Sequence, residues 1–239
     1  MLEIIKPMDI EKRSFEIITE LLGDTKIAPE NELVVKRVIH TSADFDYAQN
    51  LVFSEGAVAK GIAALRSGCD IVTDTQMARA GINKTILGKL GGEVHCFMSD
   101  PDVAAEARAR GITRAIVSME KAATLEKPCI FAIGNAPTAL IAIKELMEAG
   151  KLHPALIIGV PVGFVNVVES KEEIIEANLA PYIVARGRKG GSNVAAAICN
   201  ALCAGLGGLC TGAEQAGWQL PRAEFADFLN VIGKIRKNS

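Results

Sequence analysis

Two apolar patterns alternate along the chain. Short runs of apolar residues at 71–73, 94–98, 129–133, 156–160 and 183–185 are each closed off by Gly, Pro, Asp or Arg. Runs of that length and bounding read as strands buried on both faces. Between them lie stretches with apolar residues three and four apart, at 55–66, 103–110, 114–124, 137–149, 170–177 and 192–202. That spacing puts one stripe of a helix against a core. In 137–149 the stripe is Ala139, Leu140, Ile143 and Leu146-Met147, and Gly150 follows as a helix stop. Two further helical stretches, 10–22 and 30–42, precede the first strand.

Strands that alternate with helices predict an α/β fold. We expect a three-layer sandwich with a mainly parallel central sheet of about five strands and helices on both faces. No internal repeat or low-complexity linker interrupts the pattern, so 1–239 reads as one domain. The segment 205–239 reads as a C-terminal extension of undefined role, with an amphipathic helix predicted at 221–235.

The bulk numbers narrow the function. Aromatic residues are 5% of the 239 and the formal net charge is -2. Such a chain has neither a stacking platform nor a global field for nucleic acid or acidic lipid. An anionic ligand must be held by local basic groups. The N-terminus lacks the apolar core of a signal peptide, and the apolar stretch 194–210 is broken by Asn200 and glycines. Cys69, Cys96, Cys129, Cys199, Cys203 and Cys210 form no C-x-x-C pair. They read as small buried hydrophobes in a reducing compartment, which predicts a cytoplasmic protein with no metal site of its own.

Candidate chemistry concentrates at a few positions. Arg37, His40 and Asp44 fall at i, i+3 and i+7 of a predicted helix. A guanidinium, an imidazole and a carboxylate on one face could hold an anion and supply a proton near neutral pH. The other two histidines, His95 and His153, lack such company in the sequence. Equally, His40 could be a structural histidine paired with Asp44 across a turn, and Asp44 and Asp46 could serve only turn chemistry. Ser14 places a hydroxyl among Ile10, Ile17, Ile18 and Leu21, where bonding back to its own helix is the common outcome.

In open sheets of this kind ligands sit beyond the carboxyl ends of the strands. Three predicted strand ends carry unusual residues: Gly134-Asn135-Ala136-Pro137, Gly159-Val160-Pro161-Val162-Gly163-Phe164 and Arg186-Gly187-Arg188-Lys189-Gly190-Gly191-Ser192. The last places three cations and a glycine-rich turn before a helix N-terminus, where backbone N–H groups favour an anion. It fits neither the Walker nor the dinucleotide glycine pattern, so a carboxylate-rich ligand satisfies it as well as a nucleotide. Arg114 opens another predicted helix after Gly111-Ile112-Thr113, where a lone arginine usually marks a solvated face.

Several long segments, in order, resemble the precorrin-8X methylmutase family of cobalamin biosynthesis. They are the run from Arg37 through His40-Thr41-Ser42-Ala43-Asp44 to Ala48, Thr73-Asp74-Thr75-Gln76-Met77, Gly134-Asn135-Ala136-Pro137-Thr138-Ala139-Leu140, Gly159-Val160-Pro161-Val162-Gly163-Phe164-Val165, Glu169-Ser170-Lys171 and the segment from Arg186 to Ser192. The resemblance covers about residues 8–202. It implies an isomerase that moves a methyl group from C-11 to C-12 of the corrinoid ring without a cofactor. It places the catalytic proton donor and acceptor on His40 and substrate contacts on Ser14, Arg37 and Arg114. The anion-binding residues read from the turns, Asn135, Arg186, Arg188, Lys189 and Ser192, suit the many carboxylates of such a substrate. It also implies a homodimer, and the run from His40 to Tyr47 is more similar to the cobalt-handling branch, in which cobalt arrives within the substrate. The same loops would equally serve a non-catalytic carrier of late corrinoid intermediates.

Overall fold

The computed structural model describes residues 5–206; the helix predicted at 221–235 and Cys210 lie outside them. Six strands form one sheet: β1 (Leu51–Phe53), β2 (Asp70–Thr73), β3 (Val94–His95), β4 (Cys129–Ile133), β5 (Leu156–Gly159) and β6 (Tyr182–Ala185). Their order is β1-β6-β5-β4-β2-β3, parallel throughout except for the antiparallel β1–β6 pair. The α/β class and the mainly parallel sheet are as expected. The strand number is not: β1 is a sixth strand that the pattern did not announce. It is an apolar triplet at the sheet's edge, buried fully only at Leu51 and set between two helical segments, where so short a run cannot be told from helix. The strand expected at 94–98 stops at His95, and residues 97–99 turn into a 3-10 segment ahead of a proline-started helix.

Eleven α-helices surround the sheet among the described residues: α1 (Ile10–Leu22), α2 (Glu32–Ser42), α3 (Tyr47–Asn50), α4 (Ala57–Arg66), α5 (Gln76–Gly81), α6 (Lys84–Lys89), α7 (Pro101–Arg110), α8 (Arg114–Ala122), α9 (Pro137–Glu148), α10 (Val167–Ala177) and α11 (Ser192–Ala204). The predicted helices appear within a few residues of their expected ends. The short α3, α5 and α6 did not show as periodic patterns, because four to six residues complete too little of a helical repeat.

Alternation along the strands splits the core into two layers. Ile71, Ile130, Ala132, Leu156, Ile158 and Ile183 face a cluster with Val35, Val38, Ile39, Leu65, Ile198 and Leu202 from α2, α4 and α11. Val72, Phe131, Ile133, Ile157 and Val184 face the other side, against Met119, Leu140, Ile143 and Ile174 from α8, α9 and α10. No helix among the described residues is long and apolar enough to cross a membrane.

Chain order reverses between β2 and β4. After β2 the chain moves outward to β3 and then returns to β2's other side for β4. The helices that follow diverge as well: α5 packs on α11 on one face, and α9 packs on α8 and α10 on the other. A crevice at such a reversal point, beyond the carboxyl ends of the strands, is where ligands bind in this architecture.

Two nearby glycines test the packing in opposite directions. A Cβ on Gly92 would lie 2.3 Å from the carbonyl oxygen of Cys69, a backbone atom that cannot step aside. Gly88, in α6, has nothing within 4 Å of that position. We expect Gly92→Ala to destabilise the fold by about 1–3 kcal/mol and Gly88→Ala to stabilise it by up to about 1 kcal/mol. Equilibrium unfolding in urea measures both.

Candidate functional site at the carboxyl edge of the sheet

His40 lies in the last turn of α2, which packs along α11. Its ring stacks on Phe15 of α1, with centroids 5.1 Å apart and planes within 14°. The Arg37 guanidinium sits 4.8 Å from the centroid of the same Phe15 ring and is paired through Nη1 with the Glu11 carboxylate. Phe15 is thus the spacer between the arginine and the histidine. Among the described residues, Arg37 Nε is buried without a hydrogen-bond partner. Such an unmet donor costs about 1–3 kcal/mol.

The expected three-residue stack is only partly formed. Arg37 and His40 share a face of α2, but Asp44 does not, because the helix ends at Ser42 and Ala43 adopts a left-handed conformation at φ 53°. Asp44 instead accepts from the Asp46 amide at 3.0 Å and pairs with Lys189 at 2.6 Å. The tuning carboxylate is Glu11, on a different helix. The His40 pKa is lowered from the ordinary histidine value, first by burial and then by the Arg37 charge, while Glu11 opposes the shift.

Ser14 donates to the Ile10 carbonyl at 2.8 Å, the back-bonded arrangement. Its neighbours do not form a buried stripe: Ile10, Ile17 and Leu21 are 52%, 37% and 66% exposed, and α1 buries Phe15, Ile18 and Leu22 instead. His95 has company after all. Its Nε2 lies 3.0 Å from Asp70 and its ring stacks on Phe97. Asp70 begins β2, at the sheet's opposite edge, so this pair is structural. The five described cysteines are free and buried. Burial pushes Cys69 up to about 12 and Cys129 up to about 11, which keeps both thiols protonated and unreactive.

The turn from Arg186 to Ser192 follows β6. Lys189 pairs with both Asp44 and Asp46 at 2.6 Å. Arg186 donates its backbone amide to Asn50 at 2.8 Å and pairs its side chain with Glu172 at 3.1 Å. These contacts tie the basic turn to the chain leaving α2, bringing His40's helix end to the carboxyl edge across nearly 150 residues of sequence. The Arg188 guanidinium lies 6.0 Å from the ring of Phe164, an exposed aromatic on the loop after β5. Ser192 Oγ meets Thr75 Oγ1 at 2.7 Å, linking the start of α11 to the end of β2.

The turn after β4 differs from the sequence expectation. Its backbone amides do not await a ligand: the Asp74 carboxylate accepts from Gly134 at 2.9 Å, Asn135 at 2.7 Å and Ala136 at 2.6 Å. Burial raises the Asp74 pKa, against the three amides, which favour its charged form. Gly134 is needed here because a Cβ would lie 2.7 Å from Ser192 Cα. The Asn135 side chain is exposed beyond this turn. Arg114, also exposed, opens α8, and its cap residue Thr113 reaches Thr138 of α9 at 3.0 Å, so it belongs to the same edge.

Sequence reasoning missed Glu11, Phe15, Asp74 and Lys171. Glu11 and Phe15 carry no local signal, since their partners lie on another helix. Asp74 directly follows a buried strand, an unusual place for a carboxylate. Lys171 occupies a helix position in register with buried Val167 and Ile174, which is a readable oddity.

A family model described as precorrin-8X methylmutase matches residues 9–204. The chain is 47% identical to the cobalt-precorrin-8 methylmutase of Priestia megaterium, over 83% of this chain and 88% of that protein. It is 46% identical to that of Salmonella typhimurium, over 83% and 95%, and 40% identical to the precorrin-8X methylmutase of Pseudomonas aeruginosa, over 81% and 93%. The fold matches a crystal structure of precorrin-8X methylmutase from Thermus thermophilus with a TM-score of 0.74 and 39% identity, over 82% and 96% of the two chains.

The electrostatics around His40 give a directional test. Arg37→Met is expected to raise the His40 pKa and Glu11→Gln to lower it further, as followed by the imidazole proton shifts in an NMR titration. Because the fold disfavours imidazolium, stability should fall as pH drops from 6.5 through the folded pKa, where the unfolded chain binds more protons.

Proposed function

The chain belongs to the precorrin-8X methylmutase family, and we propose that its reaction is carried out at the carboxyl edge of the sheet, with His40 as the proton donor and acceptor. The reaction is an isomerisation in cobalamin biosynthesis that moves the methyl group of (cobalt-)precorrin-8 from C-11 to C-12. The observation that carries the site assignment is His40's setting. A solvent-accessible imidazole stacked on Phe15, with Arg37 on its own helix face, stands at the edge that also holds Arg114, Asn135, Arg186, Arg188 and Ser192.

The proton balance is closed. Imidazolium at His40 gives a proton to the conjugated ring, which withdraws electron density from the migrating centre. The C-11 to methyl bond then breaks as the C-12 bond forms, and the proton returns to His40. A lowered pKa suits the donor half of this cycle, because it makes the imidazolium a stronger acid. The neutral ring it leaves is a competent acceptor.

Roles at the rim follow from the geometry. Arg114 and Arg188 at the exposed edge are suited to the acetate and propionate carboxylates of the macrocycle, whereas Arg37, paired with Glu11, would exchange that partner to meet one. Ser14 joins them on α1, one turn from Glu11. Lys189 and Arg186 are already paired with carboxylates, so in this reading they shape the turn before they bind substrate.

The finer features belong to the same proposal. The natural substrate is the cobalt form, a reading favoured by identities of 47% and 46% to cobalt-precorrin-8 enzymes against 40% to a precorrin-8X enzyme. The protein works as a homodimer, for which the exposed apolar residues Ile10, Ile17 and Leu21 of α1 supply a suitable surface. Its free, buried cysteines fit a reducing cytoplasm. The segment after residue 205 is an appendage to one catalytic domain, since the family match ends at residue 204.

His40→Ala is expected to bind the tetrapyrrole but to convert it about 10²–10⁴-fold more slowly, followed through the visible spectrum during a single turnover. Full turnover by that variant would remove the proposed mechanism. Truncation after Leu206 is expected to leave turnover intact, whereas a truncated protein that folds but fails to turn over would give the segment a catalytic part.

A further inference from the structure

Lys171 is a buried cation with no carboxylate partner among the described residues. It is fully covered by the protein, on the face of α10 that also buries Val167 and Ile174. Its ammonium donates to the carbonyl oxygens of Gly187 at 2.8 Å and Lys189 at 2.9 Å. Both carbonyls belong to the basic turn after β6. Burying an ammonium against backbone alone is costly, and an apolar side chain of similar length would fill the same space. The charge therefore calls for an explanation beyond packing.

The geometry of the turn supplies one. In a trans peptide the carbonyl and the following N–H point in opposite directions, and the described chain contains no cis bond. With the Gly187 and Lys189 carbonyls drawn in towards Lys171, the amides of Arg188 and Gly190 point away from it. The turn is held from other sides as well. Gly163 donates to the Arg188 carbonyl at 3.2 Å and Gly191 donates to the Val160 carbonyl at 2.9 Å. A Cβ on Gly190 would lie 2.1 Å from the Val160 oxygen, so the turn lies directly on the loop after β5.

We infer that Lys171 is a positioning residue for substrate binding. Its buried ammonium holds the Gly187 and Lys189 carbonyls inward, so that the Arg188 and Gly190 amides face a carboxylate of the macrocycle, and its charge is completed by that carboxylate. The inference rests on the placement of substrate at the carboxyl edge and adds a residue that does not itself touch substrate.

Several neighbouring carboxylates are matched to other cations. Glu172 is taken by Arg186, Glu173 by Lys144 from α9, and Asp44 and Asp46 by Lys189. Burial pushes the Lys171 pKa down to about 8, with Glu172 alone opposing the shift. The charge is thus present below pH 8 and is lost as pH rises through that value. An anion bound above the turn favours the charged form and must draw in a proton when it binds near pH 8.

Steady-state kinetics of Lys171→Met on cobalt-precorrin-8 test the inference directly. KM should rise by about tenfold or more while kcat stays within about twofold, the signature of lost binding without lost chemistry. An unchanged KM, or a kcat that falls while KM holds, overturns it. A second measurement does not depend on the variant's folding. Calorimetry of the methyl-migrated product, in buffers of different ionisation enthalpy, should show proton uptake near pH 8 and weaker binding at pH 9, in the wild type and in His40→Ala alike. Binding without proton uptake, or uptake that disappears in His40→Ala, overturns the role of Lys171. No product binding by the wild type at pH 7 overturns the carboxyl-edge reading itself, and this inference with it.

Discussion

Two buried charges aimed at backbone organise the carboxyl edge. Under the turn after β4 the Asp74 carboxylate gathers three amides, and under the turn after β6 the Lys171 ammonium gathers two carbonyls. A tight turn leaves several peptide groups that no strand or helix can satisfy, and leaving them unpaired in a buried place is expensive. Here the polarity of each turn is matched by one side chain of opposite character. Each turn is thereby fixed in one shape, and the groups on its outer side are fixed with it.

That rigidity matters because His40, the proposed proton donor, is not on the sheet. His40 ends a helix that comes before the first strand, and its distance from the basic turn is set by contacts rather than by chain connectivity. Lys189, paired with Asp44 and Asp46, joins the loop after α2 to the turn after β6. Phe15 packs against both the imidazole and the Arg37 guanidinium. In the proposed placement, a polycarboxylate ring spanning the edge would meet a surface whose parts come from α1, α2 and the ends of β2, β4, β5 and β6. The acid strength of His40 is tuned by burial and by Arg37, and only partly relieved by Glu11.

Much of this was readable in one dimension. The buried strands declared themselves because parallel strands covered on both faces need continuous apolar runs. Helices with a full apolar stripe, such as α9 and α11, appeared at their expected places, and His40 stood out by its spacing from Arg37. The edge strand β1 escaped because its short apolar run, Leu51–Phe53, sits between two helical segments and cannot be told from either. Asp44 was placed on the wrong face because the left-handed turn at Ala43 is an ordinary alanine in the sequence. The exposed stripe of α1 was assigned inward because periodicity reports an apolar face without saying what covers it.

The sequence by itself determined the fold class, the order of the longer helices and of the strands other than β1, the family and the residue types available for chemistry, because these follow from local periodicity and from long ordered motifs. Only the tertiary structure decided which charges are already matched. It showed that Asp74 fills the anion position of one turn, that Lys189 and Arg186 are engaged with carboxylates, that Glu11 rather than Asp44 moderates His40, and that Lys171 is a buried cation beneath a turn. A charge at a given position has the same spelling whether it is free, paired or buried. Its partner comes from a distant segment, and burial and pairing, which exist only once those segments meet, set both its energy and its use.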